Sequence, residues 1–101
     1  LTTLDLSYCE LGETGGLAIL GALKVNSTLT SLDLSNNKVG NVGGQVIVEI
    51  LKSNSTLEKL EFYGNKLDEN CKQAIIDVLE VNSTVKIRLD AFKGYWRKIG
   101  N

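Results

Sequence analysis

A 28-residue period runs through the chain. Val25-Asn26-Ser27-Thr28-Leu29 returns as Ser53-Asn54-Ser55-Thr56-Leu57 and again as Val81-Asn82-Ser83-Thr84-Val85. The stretches that follow align too: LTTLDLSYCELG from Leu1, LTSLDLSNNKVG from Leu29 and LEKLEFYGNKLD from Leu57. Self-similarity at this length marks stacked supersecondary units, none of which can bury its apolar face alone, and not one closed globule.

Each unit opens with apolar residues at its first, fourth and sixth positions: Leu1, Leu4, Leu6; Leu29, Leu32, Leu34; Leu57, Leu60, Phe62. The alternation between the fourth and sixth predicts a strand, with the intervening residues on its other face. Position nine holds Cys9, Asn37 and Asn65, and position eleven Leu11, Val39 and Leu67. An asparagine stacked on its equivalent in each turn can bond backbone groups that the bend leaves unpaired. A thiol fills the same slot as a small, weak donor.

The second half of each unit reads as helix. Val46, Ile47, Ile50 and Leu51 form an apolar stripe, matched by Ala18, Ile19, Ala22, Leu23 and by Ala74, Ile75, Val78, Leu79. Gly15 and Gly43 stand near the first two helix starts, where a missing side chain allows close approach, and the small Cys71 takes that place in the third. Asp68 replaces Gly12 and Gly40 and is the predicted N-cap of the third helix. Asn26, Asn54 and Asn82 are the predicted helix stops, since asparagine tolerates the left-handed conformation. The Asn-Ser-Thr triplets also match glycosylation sequons, but the repeat geometry accounts for them.

The pattern LxxLxLxx(N/C)xL, an amphipathic helix and an Asn-Ser-Thr-Leu junction resemble the leucine-rich repeat proteins. The 28-residue period and helical second half are similar to the ribonuclease-inhibitor-like subfamily, which is largely intracellular. The resemblance covers residues 1 to about 85. It implies an α/β fold: a right-handed βα horseshoe segment, with a parallel sheet on the concave side and helices on the convex side.

The expected organisation is an array over 1–90, with units starting at 1, 29 and 57 and an irregular terminal unit at 85, followed by a basic-aromatic tail over 91–101. In the terminal unit Arg88 and Asp90 stand where leucines belong, while Val85, Ile87 and Leu89 alternate, so it reads as an irregular edge strand. The tail carries Phe92, Tyr95, Trp96 and Ile99. Two readings stand for it. A cap over the apolar end of the array is preferred; the other is a docking element made of Tyr95, Trp96, Arg97 and Lys98 with Lys93.

Composition narrows the function classes. Of 101 residues none is histidine or methionine, and two are cysteine. A His/Cys metal site cannot be assembled, and Ser-His-Asp or Cys-His catalysis is excluded. Cys9 and Cys71 fall in different parts of different repeats, which argues against a disulfide and for a reducing, intracellular, cytoplasmic setting. No apolar run reaches the ~18 residues of a membrane span. The absence of methionine and a start inside a repeat fit a piece of a longer array. Residues 1–85 carry eleven acids against six lysines, whereas 86–101 carry five basic residues against Asp90. An acidic body argues against nucleic-acid binding.

Strand residues facing away from the core supply the candidate binding face. They are Thr3, Ser31 and Lys59 at position three; Asp5, Asp33 and Glu61 at position five; Ser7, Ser35 and Tyr63 at position seven; and Tyr8 and Asn36, with Gly64, at position eight. Strands ~4.8 Å apart would stack the three carboxylates in register, and a basic or hydroxyl-rich partner would relieve their repulsion. The competing reading is a solvated surface that merely keeps the sheet soluble. Tyr8 and Tyr63 favour binding slightly, tyrosine being enriched at hot spots. Nothing suggests acid–base catalysis, a phosphate-cradling loop or a cofactor, so the chain reads as a non-enzyme. The function expected is a non-catalytic protein- or peptide-binding module. The resemblance also admits a GTPase-activating regulator of a small GTPase, or a cytoskeletal, actin-associated domain. A self-associating fragment, a homodimer through its uncapped ends, is the remaining alternative.

Overall fold

The computed structural model describes residues 2–25, 28–53, 56–81 and 85–90. Strand and helix alternate: β1 (Thr3–Asp5), α1 (Gly12–Leu23), β2 (Ser31–Asp33), α2 (Asn41–Ser53), β3 (Lys59–Glu61), α3 (Glu69–Val81) and β4 (Lys86–Arg88). The strands form one parallel sheet in chain order, β1-β2-β3-β4. The helices make the second layer, α1 packing on α2 and α2 on α3.

Each strand is only three residues long, and its middle residue points inward. Leu32 and Leu60 are 0 % exposed and Ile87 is buried beside them, while the flanking residues stay open to varying degrees. Leu34 and Phe62, two positions on, complete the strand side of the core. Full burial of such a side chain contributes about 1.5–3 kcal/mol. The first unit is less covered: Leu4, Leu6, Leu11 and Ile19 are only partly buried, whereas Leu32, Leu34, Val39 and Ile47 at the same positions in the second unit are inside.

On the helix side the stripe differs from the sequence expectation. Ile47, Ile50, Leu51, Ile75, Leu23 and Leu79 are buried as expected, but Ala18, Ala22 and Ala74 are exposed. Leu20 and Ile76 are buried instead. A leucine or isoleucine removes more apolar area from water than alanine does, so the helices settle with the larger neighbour inward.

Close stacking of α3 on α2 depends on Gly44, where an added Cβ would collide with Cys71 Sγ. Asp68 does cap α3, its Oδ1 accepting the Cys71 N–H at 2.8 Å. α1 ends at Leu23, short of the expected stop, while α2 and α3 end at Ser53 and Val81. Asn26, Asn54 and Asn82, the strand-opening Leu1, and the tail with Tyr95, Trp96, Arg97 and Lys98 lie outside the described residues.

The terminal unit is one residue short. β1 pairs with β2, and β2 with β3, at the repeat spacing (Leu4↔Leu32, Leu32↔Leu60), but Leu60 pairs with Ile87 and Glu61 with Arg88. Arg88 and Asp90 therefore do not occupy leucine positions. Val85, Ile87 and Leu89 are buried in the inward places, and the contraction turns Arg88 outward beside Glu61.

Candidate functional site

The turns after the strands set the rim of the sheet. Tyr8, Asn36 and Gly64 at position eight, and Glu10, Lys38 and Lys66 at position ten, all have left-handed φ, from 54° to 74°. Between them stands the asparagine ladder. Asn37 Oδ1 accepts from the N–H groups of Cys9 (2.9 Å) and Leu11 (3.2 Å), and its Nδ2 donates to the carbonyls of Leu6 (2.8 Å) and Leu34 (3.1 Å). Asn65 repeats this one unit on, accepting from Asn37 and Val39 N–H and donating to Leu34 and Phe62 carbonyls. Each side chain thus saturates the bend of the unit before it, and the strands are held to a common register.

On that frame the outward residues form two rows. The position-three row runs Thr3, Ser31, Lys59, Lys86, and the position-five row runs Asp5, Asp33, Glu61, Arg88. The three carboxylates do share one face, as expected. They are not alike. Asp5 Oδ1 accepts the Ser7 N–H at 2.9 Å and its hydroxyl at 2.7 Å, and these bonds hold the Asp5 carboxyl below the usual carboxylate range. Asp33 Oδ1 likewise accepts the Ser35 N–H at 2.9 Å. Glu61 Oε1 instead faces two cations, Arg88 Nε at 3.7 Å and Lys59 Nζ at 3.8 Å. The Arg88 guanidinium also stands 6.0 Å from the centre of the Tyr63 ring.

One expected site residue is corrected. Ser35 is 0 % exposed and its hydroxyl has no hydrogen-bond partner among the described residues, so it offers nothing to a partner. The chain has left the strand by position seven and turns inward between flanking units; Ser7, at the open edge, stays half-buried. Asn36 is half-buried, with its Nδ2 enclosed and unpartnered among the described residues. By contrast Tyr8 is 73 % exposed. Arg88 is the residue that sequence reasoning missed as part of this face. Its signal is the alternation Val85-Ile87-Leu89, which implies a deleted residue.

Among the described residues, no cluster of three or more His, Cys, Asp or Glu side chains is placed to hold a metal ion, and no helix is long and apolar enough to cross a membrane. Cys9 and Cys71 are both free thiols, and burial, with Asp68 nearby, pushes the Cys71 thiol up.

Comparison with known proteins agrees with this architecture. The family described as Leucine Rich repeat matches residues 1–20 and 25–48. No curated protein sequence matches the chain. Among solved structures, the tropomodulin C-terminal domain of Caenorhabditis elegans is similar with a TM-score of 0.64 and 7% identity, over 99% of this chain and 80% of that one. At that identity the likeness is one of fold. Repeat motif, parallel sheet and helical layer together make this chain a leucine-rich repeat solenoid.

Proposed function

We propose that this array is a non-catalytic interaction module that takes a protein or peptide partner on its sheet face. The observation that carries the reading is the outward position-five row, Asp5, Asp33, Glu61 and Arg88, held in register on a rigid sheet beside the exposed ring of Tyr8. Solenoids present extended concave surfaces of this kind to partners, and aromatic residues are enriched at interaction hot spots. The 28-residue spacing of the ladder bonds and the helical second layer support a ribonuclease-inhibitor-like assignment. The free thiols support an intracellular setting.

The test is a pull-down from cell lysate with the wild-type chain and an Asp5/Asp33/Glu61→Ala triple variant. Partners held by the wild type and lost by the variant support the reading; an identical set from both would refute it. The likeness to the tropomodulin domain gives the cytoskeletal alternative a direct assay, co-sedimentation with filamentous actin. Self-association is the further alternative. It rests on the partly buried Leu4, Leu6, Leu11 and Ile19 at the β1 edge, and a monomeric mass by light scattering at high concentration would argue against it.

A further inference from the structure

The sheet face is electrically divided. On β1 and β2 the outward charges are Asp5 and Asp33, with no ion pair to either among the described residues. On β3 and β4 they are Lys59, Lys86 and Arg88 against the single carboxylate of Glu61, which two of those cations already face. Of the exposed rim residues, Glu10 in the first unit and Lys66 in the third follow the same sense, while Lys38 places one cation at the rim of the second. Asp90 adds a carboxylate beyond β4, but it is turned onto the Gly64 N–H at 3.1 Å. The division exists because of the one-residue contraction, which brings Arg88 into the carboxylate row.

An aromatic ring marks each half. Tyr63 lies against Arg88. Tyr8 belongs to the acidic half and carries φ 56° where the second and third units have Asn36 and Gly64, residue types suited to that conformation. A bulky side chain there costs backbone strain and is left largely in water, so folding does not account for its presence.

Resting on the sheet-face reading above, we infer that the occupant is an extended peptide of split charge. Its basic side chain lies over Asp5 and Asp33 against Tyr8, and its acidic side chain lies over Lys59, Lys86 and Arg88 beside Tyr63. Three strand spacings separate Asp5 from Arg88, about 14 Å, which an extended chain crosses in about four residues. Charge complementarity selects this ligand over a uniformly basic one, because a second cation would meet Arg88.

The test titrates the isotope-labelled chain with three nine-residue peptides while following its amide resonances: one with Lys and Glu four residues apart, one with two Lys, one with two Glu. The Lys/Glu peptide should bind about two- to fivefold more tightly than either other, each exposed pair contributing modestly. Arg88→Glu should reverse the preference toward the two-Lys peptide. Tyr8→Asn, a residue suited to the left-handed backbone, should weaken binding without lowering the urea midpoint. If the two-Lys peptide binds the wild type at least as well, or Arg88→Glu leaves the order unchanged, the split-charge assignment is overturned. Should that happen while pull-down partners still depend on Asp5, Asp33 and Glu61, the sheet-face reading survives it; loss of both dependences would remove both.

Discussion

Asn65 shows how much one polar side chain does in this molecule. Its amide bridges two successive bends with four bonds of 3.0–3.2 Å, to groups closed off from water. Asn65→Ala should cost about 2–4 kcal/mol in urea unfolding, because the Asn37 and Val39 N–H groups are left unpaired; a loss under about 1 kcal/mol would mean that water replaces the ladder. Asp5 gives a pH signature at the same scale. Its folded-state carboxyl titrates below the ordinary value because Ser7 hydrogen-bonds the anion, so this contribution is present above about pH 4 and is lost as pH falls through the folded value. Asp5→Asn should therefore lower the urea midpoint slightly at pH 6 and by less at pH 2.5. Equal effects at both would assign the loss to something other than ionisation. Ser35 shows where sequence reading stops at this scale. Strand parity assigns it outward, but its burial follows from a turn whose direction depends on both neighbouring units.

Among the elements, the helices show which sequence signals survive packing. The apolar stripe placed Ile47, Ile50, Leu51 and Ile75 correctly, since large residues at helical spacing leave one inward orientation. It misplaced Ala18, Ala22 and Ala74, because alanine buries too little area to set a helix's rotation. The strand register was legible in the same way for the first three units, where Leu4, Leu32 and Leu60 recur at fixed spacing. In β4 the 28-residue period and the Val85-Ile87-Leu89 alternation point to different registers, and pairing with β3 decides for the alternation. The α2–α3 contact offers a test in two steps. Gly44→Ala should destabilise by about 1–3 kcal/mol through its collision with Cys71 Sγ. Adding Cys71→Gly should recover much of that loss; no recovery in a double-mutant cycle would show that Leu67, also close to Gly44, sets the spacing. As a helix interior gains no benefit from glycine, any rescue at all reports relieved overlap.

Across the whole molecule the packing is nearest-neighbour. Helix contacts join α1 to α2 and α2 to α3, and each strand pairs only with those beside it. Stability in such an array is close to a sum of unit and interface contributions. Equivalent truncations should therefore report coverage. Leu32→Ala, in a site 0 % exposed, should cost about 2–5 kcal/mol, and Leu4→Ala, at the partly buried edge, clearly less. Equal losses from chemical denaturation would mean that the first unit is covered in solution. The ladder adds a directionality to this picture. Each ladder asparagine reaches backward, so detaching the last units strips Asn37 and Val39 of the acceptor they share. Detaching the first frees the Asn37 Oδ1 and removes the Leu6 carbonyl from its Nδ2, which keeps the Leu34 and Ser35 carbonyls of its own unit. The array is a zip with a preferred end. Pulled from its C-terminal side it should open at lower force than from its N-terminal side, and degradation machinery that engages the C-terminal end would meet the weaker resistance.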